Sequence, residues 1–187
     1  MLASNLYVAL IHFPVMNKLD QSIGSSLTTI DLHDIARASI TFGVKGFYVV
    51  TPYDDQATLA KEVIEHWTNG VGGKLNPFRK AALELIRVTA TLEDAVTSIE
   101  TERKEPVVTI ATSAKKTAGS ITTKALQLKL ENKASHVLVF GTAWGLADEL
   151  IDTCDFILDP IDGGSDYNHL SVRSAVSIYL DRIINGR

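Results

Sequence analysis

The chain has one cysteine, Cys154, so no disulfide can close within it, and a reducing compartment is expected. No apolar run approaches the ~20 residues that a membrane-spanning helix needs. Met1–Leu10 has no basic stretch ahead of its apolar run, which leaves no secretory-signal pattern. The expectation is a cytoplasmic protein with no membrane partner. Positive charge is not in excess: Lys and Arg number 18 against 22 Asp and Glu, for a net charge of −4. That excludes a surface coating nucleic acid along its whole length, though not a local basic site. No Cys/His cluster has zinc spacing, so no metal is expected. Neither Gly-x-x-x-x-Gly-Lys-Ser/Thr nor Gly-x-Gly-x-x-Gly occurs, which leaves ATP and NAD without positive support. The absence of Gly-x-Ser-x-Gly removes the usual serine hydrolase signal.

What remains is an ordinary globular composition, 45% hydrophobic and 21% charged over 187 residues, read as one domain spanning 1–187. Leu6–Phe13 reads as a buried strand ended by Pro14, and Val15–Thr29 as a long loop. Asp31 is placed to cap a helix over Leu32–Phe42, closed by Gly43. A strand at Gly46–Thr51 and a helix from Asp54 or Asp55 to Trp67 follow, then a glycine-rich loop over Asn69–Pro77 and a helix from Phe78 into Ile86. Arg87–Ala90 reads as a short strand and Leu92–Arg103 as a helix. The C-terminal half repeats the alternation. Its strands are Val107–Ala111, Val137–Phe140 and Phe156–Leu158, and its helices are Thr122–Asn132, Ala147–Thr153 and Leu170–Ile184. Strands alternating with helices predict an α/β fold: a mostly parallel sheet with helices on both faces.

Ligands of such sheets bind beyond the carboxyl ends of the strands. Three loops there are unusual: Thr112–Ser120, Gly141–Gly145 and Asp159–Ser171. Their glycines and small residues let a ligand approach the backbone. The first helix is chemically dense, with His33, Asp34 and Arg37 on one face.

These places resemble the SPOUT superfamily of S-adenosylmethionine-dependent RNA methyltransferases. "DLHDIARASITFGVKGFYVVTP" is similar to its first motif, with Arg37 at the motif's arginine. "VLVFGTAWGLADELIDTCDFILDPI" resembles the second and "NHLSVRSAVSIYL" the third. The three come in order and frame nearly the whole chain. They look most like a bacterial branch related to the C-terminal part of tRNA guanine-N1 methyltransferases. The resemblance implies a C-terminal trefoil knot, a homodimer with the RNA site across its interface, and transfer of a methyl group from S-adenosylmethionine to tRNA or rRNA, leaving S-adenosylhomocysteine. The acceptor would be a base nitrogen or a ribose 2′-hydroxyl, and this chemistry requires no metal. The implied cofactor residues are Thr112, Ser113, Phe140, Gly141, Thr142, Trp144, Gly145, Leu146, Ile161, Leu170, Ser171 and Val172.

The implied catalytic residues are Arg37, Asp166 and Arg173. Arg37 stays protonated, so its expected role is to fix a phosphate or ribose through its two-pronged guanidinium, not to accept a proton. Asp166 (with Asp162) lies near the place where the guanine-N1 branch has an aspartate. Arg173 stands where the ribose-methylating branch has a serine, and Ser171 where asparagine is common. His33, Arg79, Lys80, Lys115 and Lys116 are candidates for RNA contact. The last helix carries Val172, Val176, Tyr179, Leu180 and Ile183, a stripe broad enough for core and partner contacts. Two other readings compete: a catalytically silent RNA- or S-adenosylmethionine-binding domain, and an unrelated doubly wound nucleotide-binding protein.

Overall fold

The apolar run at the start of the chain forms β1 (Leu6–Ile11), whose six residues are all buried. A strand covered on both faces must be apolar throughout, because successive side chains point to opposite sides. Leu6, Val8 and Leu10 enter one core, and Tyr7, Ala9 and Ile11 enter another. A computed structural model describes residues 5–132 and 134–186. Residues 1–4, which open the segment searched for a signal, and both extreme ends of the single domain lie outside the described residues. Among the described residues no helix is long and apolar enough to cross a membrane.

β4 (Gly46–Val50), β5 (Ile86–Thr89), β6 (Val107–Thr112), β7 (Ser135–Gly141) and β8 (Phe156–Leu158) join β1 in a six-stranded sheet of order β5-β4-β1-β7-β6-β8. Every pairing in it is parallel. All carboxyl ends therefore share one edge, where Ile11 lies between Val50 and Gly141 and Thr112 lies beside Leu158.

Helices cover both faces, as the alternation predicts. α1 (Thr29–Thr41), α2 (Asp54–Thr68), α4 (Pro77–Leu83), α6 (Thr123–Lys129) and α8 (Val172–Asn185) contribute to the first core. α5 (Leu92–Arg103) and α7 (Asp148–Ile151) pack on the second. Strand order reverses between β1 and β7. The chain leaves β1 toward α1 on one face and leaves β7 toward α7 on the other, so a crevice opens over these two strand ends.

Several boundaries differ from the sequence reading. The expected loop at Val15–Thr29 contains a two-stranded antiparallel pair, β2 (Val15–Met16) and β3 (Ser22–Ile23). The glycine-rich loop contains a short helix, α3 (Val71–Leu75). The helix expected to run into Ile86 stops at Leu83, and Ile86 opens β5. Asp31 does not cap α1. The cap position is Thr28, and Asp31 lies in the first turn, accepting a hydrogen bond from Thr28 Oγ1 at 2.6 Å. α6 ends at Lys129, not Asn132, and α7 is shorter at both ends than expected. The last helix begins at Val172, with Ser171 as its cap accepting from Ser174 N. Of its apolar stripe, Val176, Tyr179, Leu180 and Ile183 are buried in the chain's own core, so four of the five are spent before any partner arrives.

Candidate cofactor and RNA site

The crevice at the reversal point is built on the turn that follows β7. The turn is closed by Gly145 N donating to Thr142 O at 2.9 Å. Ala143 and Gly145 both have positive φ, 50° and 110°. At Gly141 the limit is space. A Cβ there would lie 2.6 Å from Gly145 C and also against Leu146 N, so only glycine lets the turn fold back so closely. β2 braces the turn from outside: Trp144 N donates to Met16 O at 3.0 Å and Met16 N to Gly145 O at 2.9 Å. The segment that the sequence left as loop is thus the outer rail of the site.

Beneath the turn is a part-buried polar relay. Thr142 Oγ1 donates to Ile11 O at 3.0 Å and is hydrogen-bonded to Ser25 Oγ. Ser25 Oγ in turn meets His12 Nδ1 at 3.1 Å. His12 is fully buried, and its Nε2 has no protein partner among the described residues. Burial pushes its pKa below the usual histidine value, against the opposing pull of Ser25 and Asp31, which favours the neutral ring.

The other two loops are tied to this turn and to each other. Asn168 Nδ2 donates to Ala114 O at 2.9 Å, joining the loop after β8 to the loop after β6. Ser120 Oγ donates to Asp159, and Asp159 N donates to Ile121 O at 2.8 Å. Tyr179 from α8 donates its hydroxyl to Asp159 O at 2.8 Å, and burial pushes its phenol up to about 12. Trp144 reaches His169, with ring centroids 5.9 Å apart.

The structure gathers most of the expected cofactor residues at this edge and divides their roles. Thr112 is buried, and its hydroxyl donates to Val139 O at 2.9 Å, stitching β6 to β7. Ser113 Oγ accepts from Lys115 N. Phe140, Leu146 and Ile161 turn into the cores and leave their backbone at the edge. Val172 packs partly against the first core, while Leu170 and Trp144 stay exposed.

The catalytic candidates are not brought together as a set. Asp166 is exposed in the loop after β8 and Arg37 is exposed on α1. Asp34 does not pair with Arg37, its neighbour on the helix face. It faces Arg173 Nε at 3.6 Å, while Asp31 holds Arg173 Nη1 at 3.1 Å. Arg173 therefore clips α8 to the first turn of α1. Among the described residues Arg37 makes no ion pair within 4.0 Å.

The RNA candidates fall into two groups. Lys115 and Lys116 are exposed beside the loop cluster. His33 and Arg79 meet elsewhere, around Trp67. The Arg79 guanidinium lies 4.6 Å over the Trp67 ring, and His33 and His66 contact that ring edge-on at 5.4 and 5.2 Å. A cleft of about 360 Å³ opens there, lined also by Thr29, Leu59, Glu62 and Val63. Lys80 pairs with Glu84 at 3.8 Å. The sequence reading missed the Ser25 link, the Asp31–Arg173 pair and the aromatics Tyr167 and His169. The available hint was a histidine closing a wholly apolar strand.

Comparison with known proteins agrees with this geometry. The family described as SAM-dependent RNA methyltransferase matches residues 5–185. A protein of Oleidesulfovibrio alaskensis named tRNA (guanine-N(1)-)-methyltransferase is 45% identical over 180 residues, covering 96% of this chain and 42% of that protein. The chain thus spans less than half the length of that relative. An uncharacterized protein of Aquifex aeolicus is 37% identical over 186 residues, covering 99% of this chain and 91% of its own length. In fold, the chain is similar to the SpoU methyltransferase AviRb from Streptomyces viridochromogenes, solved with AdoMet. That likeness has TM-score 0.60 and 15% identity, covering 98% of this chain and 58% of the other. The reading as an unrelated doubly wound nucleotide-binding protein is thereby overturned. By sequence match over nearly its whole length, supported by the parallel sheet and its loop cluster, the chain belongs to the SAM-dependent RNA methyltransferase family.

Proposed function

We propose that this chain transfers a methyl group from S-adenosylmethionine to RNA, with the cofactor held over the carboxyl ends of β6, β7 and β8. One observation carries the reading: three strand-end loops of small residues meet beside the point where strand order reverses, those after β6 and β8 through hydrogen bonds and the turn after β7 through the Trp144–His169 ring contact. The residues suit such a ligand. The backbone of 140–146 and 170–172 would face the adenine and ribose edges, with Thr142 N, Trp144 N and Gly145 N already bonded within the protein, and Gly145, Gly163 and Gly164 have nothing within 4 Å of where a Cβ would stand. Bound there, the cofactor supplies a methyl group activated on a sulfonium. The protein's contribution is mainly orientation and exclusion of water.

Arg37 would fix a phosphate or ribose through its two-pronged guanidinium. Asp166, exposed near the loop cluster, is the proton acceptor we favour. Arg173, tied to Asp31 and Asp34, would position α8 and Leu170–Val172 rather than touch substrate. tRNA and a base nitrogen are the first acceptors to test, because the Oleidesulfovibrio relative carries that name and because Arg173 replaces the serine of the ribose-methylating branch. Support for a C-terminal knot comes from α8, which follows β8 at the sheet's edge yet packs on α1 behind β1. The working unit we favour is a cytoplasmic homodimer.

The test is calorimetry with S-adenosylhomocysteine, followed by methyl transfer to RNA from a strain lacking the protein. Binding and transfer together support the reading, and absence of binding overturns it. Binding without transfer would favour the second reading, a catalytically silent domain, which the engagement of Arg173 in an ion pair also favours.

A further inference from the structure

Three aromatic rings stand in a row at the rim of the loop cluster. Trp144 comes from the turn after β7, and Tyr167 and His169 from the loop after β8. His169 is in the middle, 5.9 Å from Trp144 and 5.4 Å from Tyr167, with interplanar angles of 68° and 74°. Trp144 is 62% exposed and Tyr167 75% exposed. Leaving this much aromatic surface in water forgoes burial that three of the other four tyrosines use: Tyr7, Tyr48 and Tyr179 are buried, and Tyr53 is 40% exposed.

The row is held from both sides. Trp144 is fixed through its backbone to Met16, and Asn168, between the other two rings, donates to Ala114. That second bond sets the row beside Lys115 and Lys116, both exposed. Asp166 adjoins the Tyr167 end, so an anionic backbone is favoured on the lysine side only.

We infer that Trp144, His169 and Tyr167 form a stacking platform for an unpaired nucleobase of the RNA substrate, with Lys115 and Lys116 beside it for a flanking phosphate. The inference rests on the RNA methyltransferase reading and adds the form in which RNA is received. Every base has a π face, so stacking accepts any sequence, but it requires the base to be free of a duplex. Adjacent lysines next to exposed aromatic rings are what a single strand needs, because base and phosphate alternate along it.

The experiment uses the full chain, an unstructured oligoribonucleotide of about ten nucleotides and the duplex of the same sequence, with S-adenosylhomocysteine titrated separately. Trp144→Leu and Tyr167→Ala are each expected to weaken binding of the single strand about tenfold, while Trp144→Phe keeps most of it. Leu retains apolar bulk without a π face, so the Leu–Phe contrast separates stacking from packing. The duplex is expected to bind less well than the single strand, and S-adenosylhomocysteine to bind Tyr167→Ala as it binds the wild type. These exposed positions leave the melting temperature unchanged.

Single-strand binding that follows this pattern supports the platform even if methyl transfer is never seen, so its failure is separable from that of the methyltransferase reading. The inference is overturned by equal affinity of Trp144→Leu and the wild type for the single strand. It is also overturned if the variants lose S-adenosylhomocysteine instead, which makes the row a cofactor wall. Conversion of a dimer to a monomer in light scattering would make it a subunit contact.

Discussion

Trp67 and Trp144 occupy opposite situations, and the two regions around them differ in the same way. Trp67 has Arg79 on one face, two histidines on its edges, and Gly72 packed so tightly that a Cβ there would lie 2.8 Å from Trp67 Cε3. Its π surface is already used by the protein. Trp144 touches one histidine and is otherwise open. Yet the cleft of about 360 Å³ lies beside Trp67. Void volume there follows from how α1 and α2 meet. At the strand ends the cavity is smaller, about 220 Å³ beside Gly24, Ser25 and Tyr53. The larger cleft and the proposed cofactor site thus belong to different parts of this fold.

The comparison breaks most sharply at Gly141. A side chain there strikes the backbone of Gly145 and Leu146, so the obstacle is the turn itself rather than any ligand. Gly141→Val is expected to abolish S-adenosylhomocysteine binding and to cost about 2–4 kcal/mol of stability. The far-UV circular dichroism should stay close to wild type, since the sheet is buried elsewhere. Normal calorimetric binding by this variant would remove the turn from the site. By contrast, Gly72→Ala near Trp67 should disturb that joint and leave cofactor binding unchanged.

Arg173 comes next. Arg173→Met leaves Asp31, whose side chain is 10% exposed, without its cation. The expected loss is about 1–2 kcal/mol, less than for a fully buried pair because Arg173 itself is 35% exposed. Pairing it with Asp31→Asn in a double-mutant cycle in urea isolates the coupling. A coupling indistinguishable from zero would mean that the clip between α8 and α1 does not hold the last helix in place.

The sheet was legible because its central strands β1 and β4 are apolar throughout, and the helices because their apolar periods end at identifiable stops. β2 and β3 were not legible: Val15–Met16 pair with Ser22–Ile23 and also brace the glycine turn, and two-residue strands carry no periodic signal. Asp31 was misread as a cap because its residue type fits one. Its actual partner, Arg173, is 142 residues away. The glycine turn could be recognised from its local spacing. The His12–Ser25–Thr142 relay and the Trp144–His169–Tyr167 row could not, since each joins separate strand-end segments whose proximity depends on strand order.

Acid should weaken the fold in a defined direction. His12, His33 and His136 all have pKa values lowered from about 6.5, burial being the main cause in each. Arg79 adds to the effect at His33 and Lys129 at His136, while Asp31 and Glu105 oppose it at His12 and His136. The unfolded chain takes up protons near pH 6.5 that the folded chain refuses. Stability is therefore full above that pH and falls as pH drops toward the lowered folded values. Thermal melting at pH 7.5 and pH 5.5 checks this. His12→Asn can keep a donor toward Ser25 without a titrating ring, so its loss on acidification should be smaller than wild type. An equal loss would assign the acid sensitivity to His33 and His136.

The smallest effect on the fold is expected at Arg37, which lies on α1 between the two regions. It is exposed and makes no ion pair among the described residues, so Arg37→Ala should change stability by no more than about 0.5 kcal/mol. Its affinity for S-adenosylhomocysteine should match wild type, because the proposed cofactor loops belong to the other half of the chain. Its charge does reach one neighbour: Arg37 is the weakest of the four influences on His33, below burial, Arg79 and Asp34. In an NMR titration Arg37→Ala should therefore raise the His33 pKa slightly, and Arg79→Met should raise it more. Methyl transfer to RNA is where Arg37→Ala should fail. Arg37→Lys should fail with it, since an ammonium cannot reproduce a planar two-pronged contact with phosphate or ribose. Wild-type turnover by both variants would leave Arg37 as a solvated charge that tunes His33 and nothing else.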